Sequence, residues 1–213
     1  MRMAIVAAAL MLGGCNLVTS TTPMFSAEDV KGQAQLRPGV WMDEHQSCDF
    51  DVKAPVDAWP ACADGWIISG GAVIGPRQKG TPRAAWVSYP MLLVAGDPPL
   101  FQIRLDTPPG TAGPYFYAGV EVLKTDEQGR ITALKSWPTL CGPPPPKETN
   151  PKPNPDGSIP LAGLTKAMIP GLVVDPTKQN CLALTPGPLR VSARQSQAWG
   201  DNNRSKWVRD GDR

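Results

Sequence analysis

The stretch YFYAGVEVLKTDEQGRITALKSW, residues 115–137, predicts a β-hairpin and decides the fold class. Val120 and Val122 alternate with charged or outward-facing neighbours, and a similar alternation resumes at Ile131. Between the two halves lies Asp126-Glu127-Gln128-Gly129, a run of turn-forming residues that ends in glycine. A period of two that is interrupted by such a run is typical of two antiparallel strands joined by a tight turn.

Stretches before and after the hairpin extend this pattern. Residues 65–75, 83–96 and 99–106 are rich in β-branched or aromatic residues and are bounded by Gly, Pro or Asp, which is the signature of strands. Residues 189–199 and 205–212 are predicted to form a final strand pair, and residues 161–172 a short helix. The sequence therefore predicts an all-β fold: a single antiparallel β-rich domain, either a sandwich or a barrel, with at most short helices.

Composition supports this fold class. The 213 residues include 21 glycines and 25 prolines, more than a fifth of the chain, which favours a turn-rich β fold over a helix bundle. Nine of the prolines lie in residues 138–160. We interpret this segment as a Pro-rich loop within the domain; the alternative is a polyproline strip that docks into an aromatic groove of a partner.

Charge and motif content exclude several function classes. The chain has 21 basic and 19 acidic residues, a balance that gives no indication of nucleic acid as a partner. His45 is the only histidine, and the sequence has no G-x-S-x-G, S-x-x-K or H-E-x-x-H motif. We predict that the protein is not an enzyme, that it has no cofactor or metal, and that His45 is an exposed loop residue.

The N-terminal residues predict export. Arg2 precedes an apolar run from Ala4 to Leu12, and two glycines follow directly before Cys15, which is the layout of a secretory signal peptide. The run is far shorter than the roughly 20 residues that a transmembrane helix needs. Residues 1–14 are therefore predicted to be removed.

Leu12-Gly13-Gly14-Cys15 resembles the lipobox of bacterial lipoproteins. The resemblance implies cleavage after Gly14, attachment of a diacylglycerol to Cys15 and acylation of the new N terminus. Residues 15–38 would then be a lipidated flexible tether, and residues 39–213 the β-rich domain. In the sorting rule of enterobacterial lipoproteins, an Asp after the cysteine retains the protein at the inner membrane. Because the residue after Cys15 is Asn16 and not Asp, the rule implies that this protein is held at the outer membrane of the cell envelope and faces the periplasm.

The remaining cysteines predict disulfides. Once Cys15 is assigned to lipid, Cys48, Cys62, Cys141 and Cys181 form an even set in an oxidising compartment. Four cysteines permit three pairings, and sequence proximity favours Cys48 with Cys62 and Cys141 with Cys181. No spacing among them matches a zinc site.

The seven tryptophans suggest either a packed core or an aromatic binding cavity. Trp41, Trp66 and Trp86 are the candidate ligand-binding residues. Gly39-Val40-Trp41 resembles the G-x-W opening of lipocalins, a family of eight-stranded barrels. The resemblance implies that an arginine of a late strand, here Arg209, packs on Trp41.

The family's T-D-Y turn is absent, since Thr125-Asp126 is followed by Glu127. Two functions stay open. The first is a non-enzymatic interaction or structural role of a membrane-anchored lipoprotein, with an envelope protein as partner. The second is a lipocalin-like barrel that binds a small apolar ligand.

Overall fold

The described part of this computed structural model contains eleven strands, one α-helix and two short 3-10 helices, at Ala27–Val30 and Val56–Ala58. The structure describes residues 16–45, 48–60, 62–76, 85–105, 113–143, 169–176, 180–199 and 202–211. The strands are β1 (Val18–Ser20), β2 (Gly39–Asp43), β3 (Gly65–Ser69), β4 (Ala72–Gly75), β5 (Val87–Val94), β6 (Leu100–Arg104), β7 (Tyr115–Thr125), β8 (Ile131–Pro138), β9 (Leu172–Val174), β10 (Cys181–Ala183) and β11 (Asn203–Arg209), and the helix is α1 (Pro186–Ser196). The prediction of an all-β, antiparallel fold is confirmed.

Eight of the strands close into a barrel. Each strand from β2 to β7 pairs antiparallel with the next one in sequence, and β11 pairs with both β8 and β2. Closure pairs every strand of the barrel on both sides and so removes exposed sheet edges. Of the two predicted architectures, the structure has the barrel.

The predicted hairpin is present as β7 and β8. The Asp126 carboxylate accepts hydrogen bonds from the backbone N–H groups of Gln128 and Arg130, which fixes the turn, and Gly129 takes a positive φ. Residues 65–75 form a second hairpin, β3–β4, rather than one strand. Gly70 and Gly71 both have positive φ there, the backbone that a two-residue hairpin turn requires.

Alternation along the strands fills the barrel with apolar side chains. The buried interior cluster, here called the barrel core, consists of Leu36, Trp41, Ile68, Val73, Met91, Leu93, Phe101, Ile103, Leu105, Val120, Ile131 and Leu134. The alternate residues face outward. Those of β6 and β7 are covered by α1 and by the three short strands β1, β10 and β9.

These three strands extend the sheet away from the barrel, and we call them the extension. β1 pairs antiparallel with the first residues of β7, β10 pairs parallel with β1, and β9 pairs antiparallel with β10. Both predicted disulfide pairings are present. Cys48–Cys62 closes the β2–β3 connection, and Cys141–Cys181 ties the chain after β8 to the extension.

The prediction of a flexible tether over residues 15–38 is wrong for the residues that the structure describes. Val18, Thr19 and Ser20 are at most 4% exposed and form β1. Their backbone groups pair with β7 and β10, so that short polar side chains can be buried without loss of hydrogen bonds. Leu36 is also buried, in the barrel core. Cys15 and the signal peptide lie outside the described residues.

The predicted strand at residues 189–199 is also wrong, because this segment belongs to α1. Leu189, Ser192, Ala193 and Ser196 are buried at the spacing of one helix face. Ser192 donates its hydroxyl to the carbonyl of Leu140, and the Ser196 hydroxyl accepts from the Leu140 N–H. The predicted strand at 205–212 is present as β11, but it pairs with β2 and β8.

Two other predicted segments are only partly described. The predicted helix at 161–172 overlaps β9 at Leu172, and its residues 161–168 lie outside the described part. In the Pro-rich segment, residues 144–160 also lie outside it. Within the described ranges, no helix has the length and apolar character needed to cross a membrane.

Candidate functional site

The two ends of the barrel differ in construction. Because consecutive strands are antiparallel, alternate connections lie at the same end. One end, the closed end, carries the β3–β4, β5–β6 and β7–β8 turns. The other, the loop end, carries the β2–β3, β4–β5 and β6–β7 connections and the chain that leaves β8.

Residues before β2 seal the closed end. The backbone of Gln35 accepts from the N–H of Ile131, and the N–H of Arg37 donates to the Ile131 carbonyl, both over 2.9 Å. These bonds hold Leu36 in the barrel core. The Arg37 guanidinium lies 3.6 Å from the ring centre of Trp207 and pairs with Asp210 over 2.8 Å. Apolar packing and an ion pair together close this end.

Interior aromatic residues become more exposed toward the loop end. Trp41 is fully buried, and its indole N–H donates to the carbonyl of Arg37 at the closed end. Trp66, directly opposite on β3, stacks on it with ring centres 5.3 Å apart, and is only partly buried. Tyr89 and Phe116 pack on the barrel core and are likewise partly buried. The interior therefore presents an aromatic surface toward the loop end.

The face that carries Phe116 continues onto the extension. Directly paired residues place their side chains on one face of a sheet. Such a cross-strand row runs through Met91, Ile103, Phe116, Thr19, Leu182 and Val173, and Thr19, which is 4% exposed, is its polar member. It begins in the barrel core and ends at Val173, which is 49% exposed. The inner face of the barrel thus extends beyond the barrel wall.

One polar pair lies at the loop end of the interior. Asp43, the last residue of β2, faces the interior as Trp41 does, since they are two residues apart on one strand. The Ser205 hydroxyl of β11 donates to the Asp43 carboxylate over 2.7 Å. A ligand whose apolar part contacts Trp66 would find polar groups here.

The three predicted ligand-binding tryptophans do not come together. Trp41 and Trp66 form the interior stack. Trp86 instead packs on the outer face of the wall, against the cluster Val40, Val56 and Ile67. The partly exposed Tyr89 and Phe116 were missed, although their place on strands with a period of two is the signal that puts them inside.

The predicted contact of Arg209 with Trp41 is wrong. The Arg209 guanidinium lies over Trp59, 5.6 Å from its ring centre, and donates to the carbonyls of Val52 and Ala54. Arg209 therefore ties the disulfide-closed β2–β3 connection to the barrel wall. The arginine–tryptophan stack at the closed end is made by Arg37 and Trp207.

The residue that follows Cys15 is fixed to the body. Asn16 is 7% exposed, and its side-chain amide donates to the carbonyl of Gly142 over 2.7 Å. Its own carbonyl accepts from the N–H of Cys141, also over 2.7 Å. The next residue, Leu17, donates its N–H to the Asn180 side chain over 3.2 Å.

A second polar cluster holds the chain after β1. Gln102 of β6 faces outward and is 4% exposed. Its carbonyl oxygen accepts from the N–H groups of Met24 and Phe25, and its amide donates to the Phe25 carbonyl. Tyr117 lies beside it, with its hydroxyl 2.6 Å from the Ser20 hydroxyl. Burial raises the pKa of Tyr117, although the Ser20 hydrogen bond opposes this shift.

His45 is exposed. In the described part of the chain, no three His, Cys, Asp or Glu side chains are placed to hold a metal ion.

No family model, curated protein or solved structure matches this chain. The eight-stranded antiparallel barrel is compatible with the lipocalin-like architecture that Gly39-Val40-Trp41 implies.

Proposed function

We propose that this protein is a membrane-anchored β-barrel of the bacterial cell envelope that binds a small apolar ligand through its loop end. The stack of Trp41 and Trp66 carries the proposal, because it runs from a fully buried ring to a partly exposed one inside a barrel that is sealed at the other end.

Barrel architecture supports a binding role. Eight strands give an interior that either is filled by side chains or holds one small ligand. Ligand sites are mostly lined by apolar and aromatic groups, with a few polar groups that orient the ligand. At the loop end, the aromatic lining consists of Trp66, Tyr89 and Phe116, and the orienting polar groups are those of the Asp43–Ser205 pair. The ligand class is an apolar chain or ring with a small polar head.

The lipid anchor rests on the lipobox resemblance at Leu12-Gly13-Gly14-Cys15. Two or three acyl chains, each contributing about 0.8 kcal/mol per buried methylene, hold a protein in a bilayer without a spanning helix. The anchor would keep the barrel beside a membrane, which is a source of apolar ligands.

Contact quenching by a brominated fatty acid tests the ligand site. The mature chain with Cys15→Ser is titrated with 9,10-dibromostearic acid while tryptophan fluorescence is recorded, because bromine quenches only rings that it approaches closely. We expect saturable quenching. Trp66→Phe should remove most of the quenched signal, since it deletes the ring nearest the loop end.

Trp86→Phe is the matched control. It removes a tryptophan from the outer face of the wall and should leave the quenched signal unchanged. Quenching that never saturates, or that is lost equally in the two variants, would contradict the proposal.

A second candidate is an interaction with an envelope protein. Among the described strands, β9 pairs with β10 alone, so its other side is a sheet edge that can accept a strand from a partner. A photoreactive group at Val173 in intact cells would then give an adduct with another protein.

A further inference from the structure

We infer that residues 16–20 form an N-terminal strap that the Cys141–Cys181 disulfide holds on the barrel, and that reduction of this disulfide turns the strap into a tether. The distance that the barrel can reach from its membrane then depends on the oxidation state of one bond. The tether rests on the proposed lipid anchor at Cys15, whereas the hold of the disulfide on the strap does not.

The chain that follows β8 binds the strap on one side. The Val18 N–H donates to the Thr139 carbonyl over 2.9 Å, and the Cys141 N–H donates to the Asn16 carbonyl over 2.7 Å. The Asn16 side-chain amide donates to the Gly142 carbonyl, also over 2.7 Å. These bonds tie the strap to the end of the barrel chain.

Strand β10 binds the strap on the other side. The Cys181 N–H donates to the Leu17 carbonyl over 2.9 Å, and the Thr19 hydroxyl donates to the Cys181 carbonyl over 3.4 Å. The Leu17 N–H donates to the Asn180 side chain over 3.2 Å. The strap is thus bound by two segments that are far apart in sequence, and each of them carries one cysteine of the disulfide.

The disulfide joins these two segments directly beside the strap. The Cα atoms of Cys141 and Cys181 are 5.7 Å apart, and the Cys141 Sγ lies 3.5 Å from the Leu17 carbonyl oxygen. Among the described strands, β10 pairs only with β1 and β9, so the disulfide is a covalent link between the extension and the barrel chain. In the chain-entropy model, a bond that closes a loop of 40 residues favours the native arrangement by about two to three orders of magnitude.

Loss of this bond leaves the strap weakly held. Without β10, the three residues of β1 keep backbone partners on one side only, and terminal segments lose their order unless such contacts tie them down. The next hold on the chain is Gln102, which bonds to the backbone of Met24 and Phe25. Residues 16–23 are then free, and this stretch spans up to about 25–30 Å when it is extended.

Reduction of the disulfide is a thiol–disulfide exchange with a dithiol reductant. One thiol of the reductant attacks one sulfur and forms a mixed disulfide, while the other cysteine leaves as a thiolate and takes a proton. The second thiol of the reductant then displaces the first cysteine, so that the reductant becomes a disulfide and the protein gains two thiols. Because Cys141 and Cys181 are at most 1% exposed and Cys48 and Cys62 are only partly buried, the reductant attacks Cys48–Cys62 first.

Amide hydrogen exchange tests the hold of the disulfide on the strap. The complete lipidated protein, in vesicles of phosphatidylethanolamine and phosphatidylglycerol, is compared with the Cys141→Ala/Cys181→Ala variant by mass spectrometry. We expect exchange at Val18 to rise about a hundredfold or more in the variant, while exchange at Val120 and Leu134 of the barrel core stays slow. Wild-type protein that is fully reduced with dithiothreitol should give the same pattern.

The Cys48→Ala/Cys62→Ala variant is the matched control, because it removes the other disulfide and none of the partners of the strap. Exchange at Val18 should stay slow in this control. Fast exchange at Val18 in the control, or slow exchange there in the Cys141→Ala/Cys181→Ala variant, overturns the inference. Equal acceleration at Val18 and in the barrel core also overturns it, since the disulfide then holds the whole body and not the strap.

Protease treatment followed by flotation of the vesicles separates this inference from the proposed anchor. Subtilisin should cut the freed residues 16–23 of the Cys141→Ala/Cys181→Ala variant and release its barrel, while the wild-type barrel floats with the vesicles. A variant barrel that still floats overturns the tether. Protein that never floats, or that lacks acyl groups by mass, overturns the anchor and the tether together, and the exchange result then decides the hold of the disulfide alone.

Discussion

The side chain of Asn16 donates a hydrogen bond to the backbone carbonyl of Gly142, 126 residues further along the chain, over 2.7 Å. This bond, together with the one from the Cys141 N–H to the Asn16 carbonyl, joins the first described residues to the segment that follows β8. The chain next to the predicted lipid site is therefore part of the folded body.

Asn16→Ala should lower the free energy of unfolding by about 1–3 kcal/mol, because it leaves the buried carbonyl of Gly142 without its donor. Urea denaturation of the mature chain measures the change. Asn202→Ala is the control, since the hydrogen bond from the Asn202 side-chain amide to the Gln197 carbonyl is exposed. Loss of this hydrogen bond should change the free energy of unfolding by less than about 0.5 kcal/mol. Equal effects of the two substitutions would contradict the structural role of Asn16.

Gln102→Ala should release the segment that contains Met24 and Phe25 from the barrel wall. The substitution removes the acceptor of two backbone N–H groups and the donor to one carbonyl, which should cost about 2–3 kcal/mol. Amide hydrogen exchange should accelerate at Met24 and Phe25. The control is Gln128→Ala, at an exposed position in the β7–β8 turn, which should leave amide exchange at Met24 and Phe25 unchanged. If exchange at Met24 and Phe25 stayed slow in the Gln102 variant, Gln102 would not be what holds this segment.

Tyr117 should make the protein less stable in alkaline solution. Burial raises its pKa in the folded state, so its neutral form stabilises the fold below the unfolded pKa, and this contribution is lost as pH rises through the folded pKa. Unfolding measured from about pH 8 to about pH 11 should show a steeper loss for the wild type than for Tyr117→Phe. The Phe variant also lacks the Ser20 hydrogen bond and should be about 1 kcal/mol less stable at pH 8. Parallel pH profiles would contradict the prediction.

Gly119→Ala should destabilise the barrel wall by about 1–3 kcal/mol or more. A Cβ at this position would overlap the indole ring of Trp137, which is 2% exposed and donates to the Ala193 carbonyl of α1. Thermal unfolding should show a lower Tm. Gly187→Ala is the matched control: nothing lies within 4 Å of its added Cβ, and in a helix alanine should be neutral or stabilising. A Tm for Gly119→Ala at or above the wild type would refute the packing.

The parts of the fold that the sequence predicted are those with local signals. The β7–β8 hairpin has alternation and a four-residue turn ending in Gly129, and each disulfide joins two consecutive cysteines of the chain, 14 and 40 residues apart. The barrel could not be distinguished from a sandwich, because closure depends on β11 pairing with both β2 and β8 across long sequence separations.

The wrong predictions at α1 and at β1 have a common physical cause. In α1, Ser192 and Ser196 look polar in the sequence but are buried, with their hydroxyls bonded to the Leu140 backbone. In β1, Thr19 and Ser20 are buried by pairing with distant strands. Buried Ser and Thr residues whose hydroxyl groups are hydrogen-bonded to distant parts of the chain do not contribute to the periodic pattern of apolar residues from which helices and strands are predicted. Trp86 is a different case: it lies three residues before Tyr89 in the predicted strand at 83–96, and a period of two places these rings on opposite faces.

The most direct test of the account is the intact mass of the protein extracted from membranes and incubated with palmitic acid, measured under native and then denaturing conditions without reduction. The account predicts a denatured mass equal to the chain from Cys15 plus a diacylglyceryl and an acyl group, with no thiol open to alkylation. It predicts a native mass higher by one bound fatty acid. An unprocessed, unacylated chain would contradict the anchor, and equal native and denatured masses would contradict the ligand site.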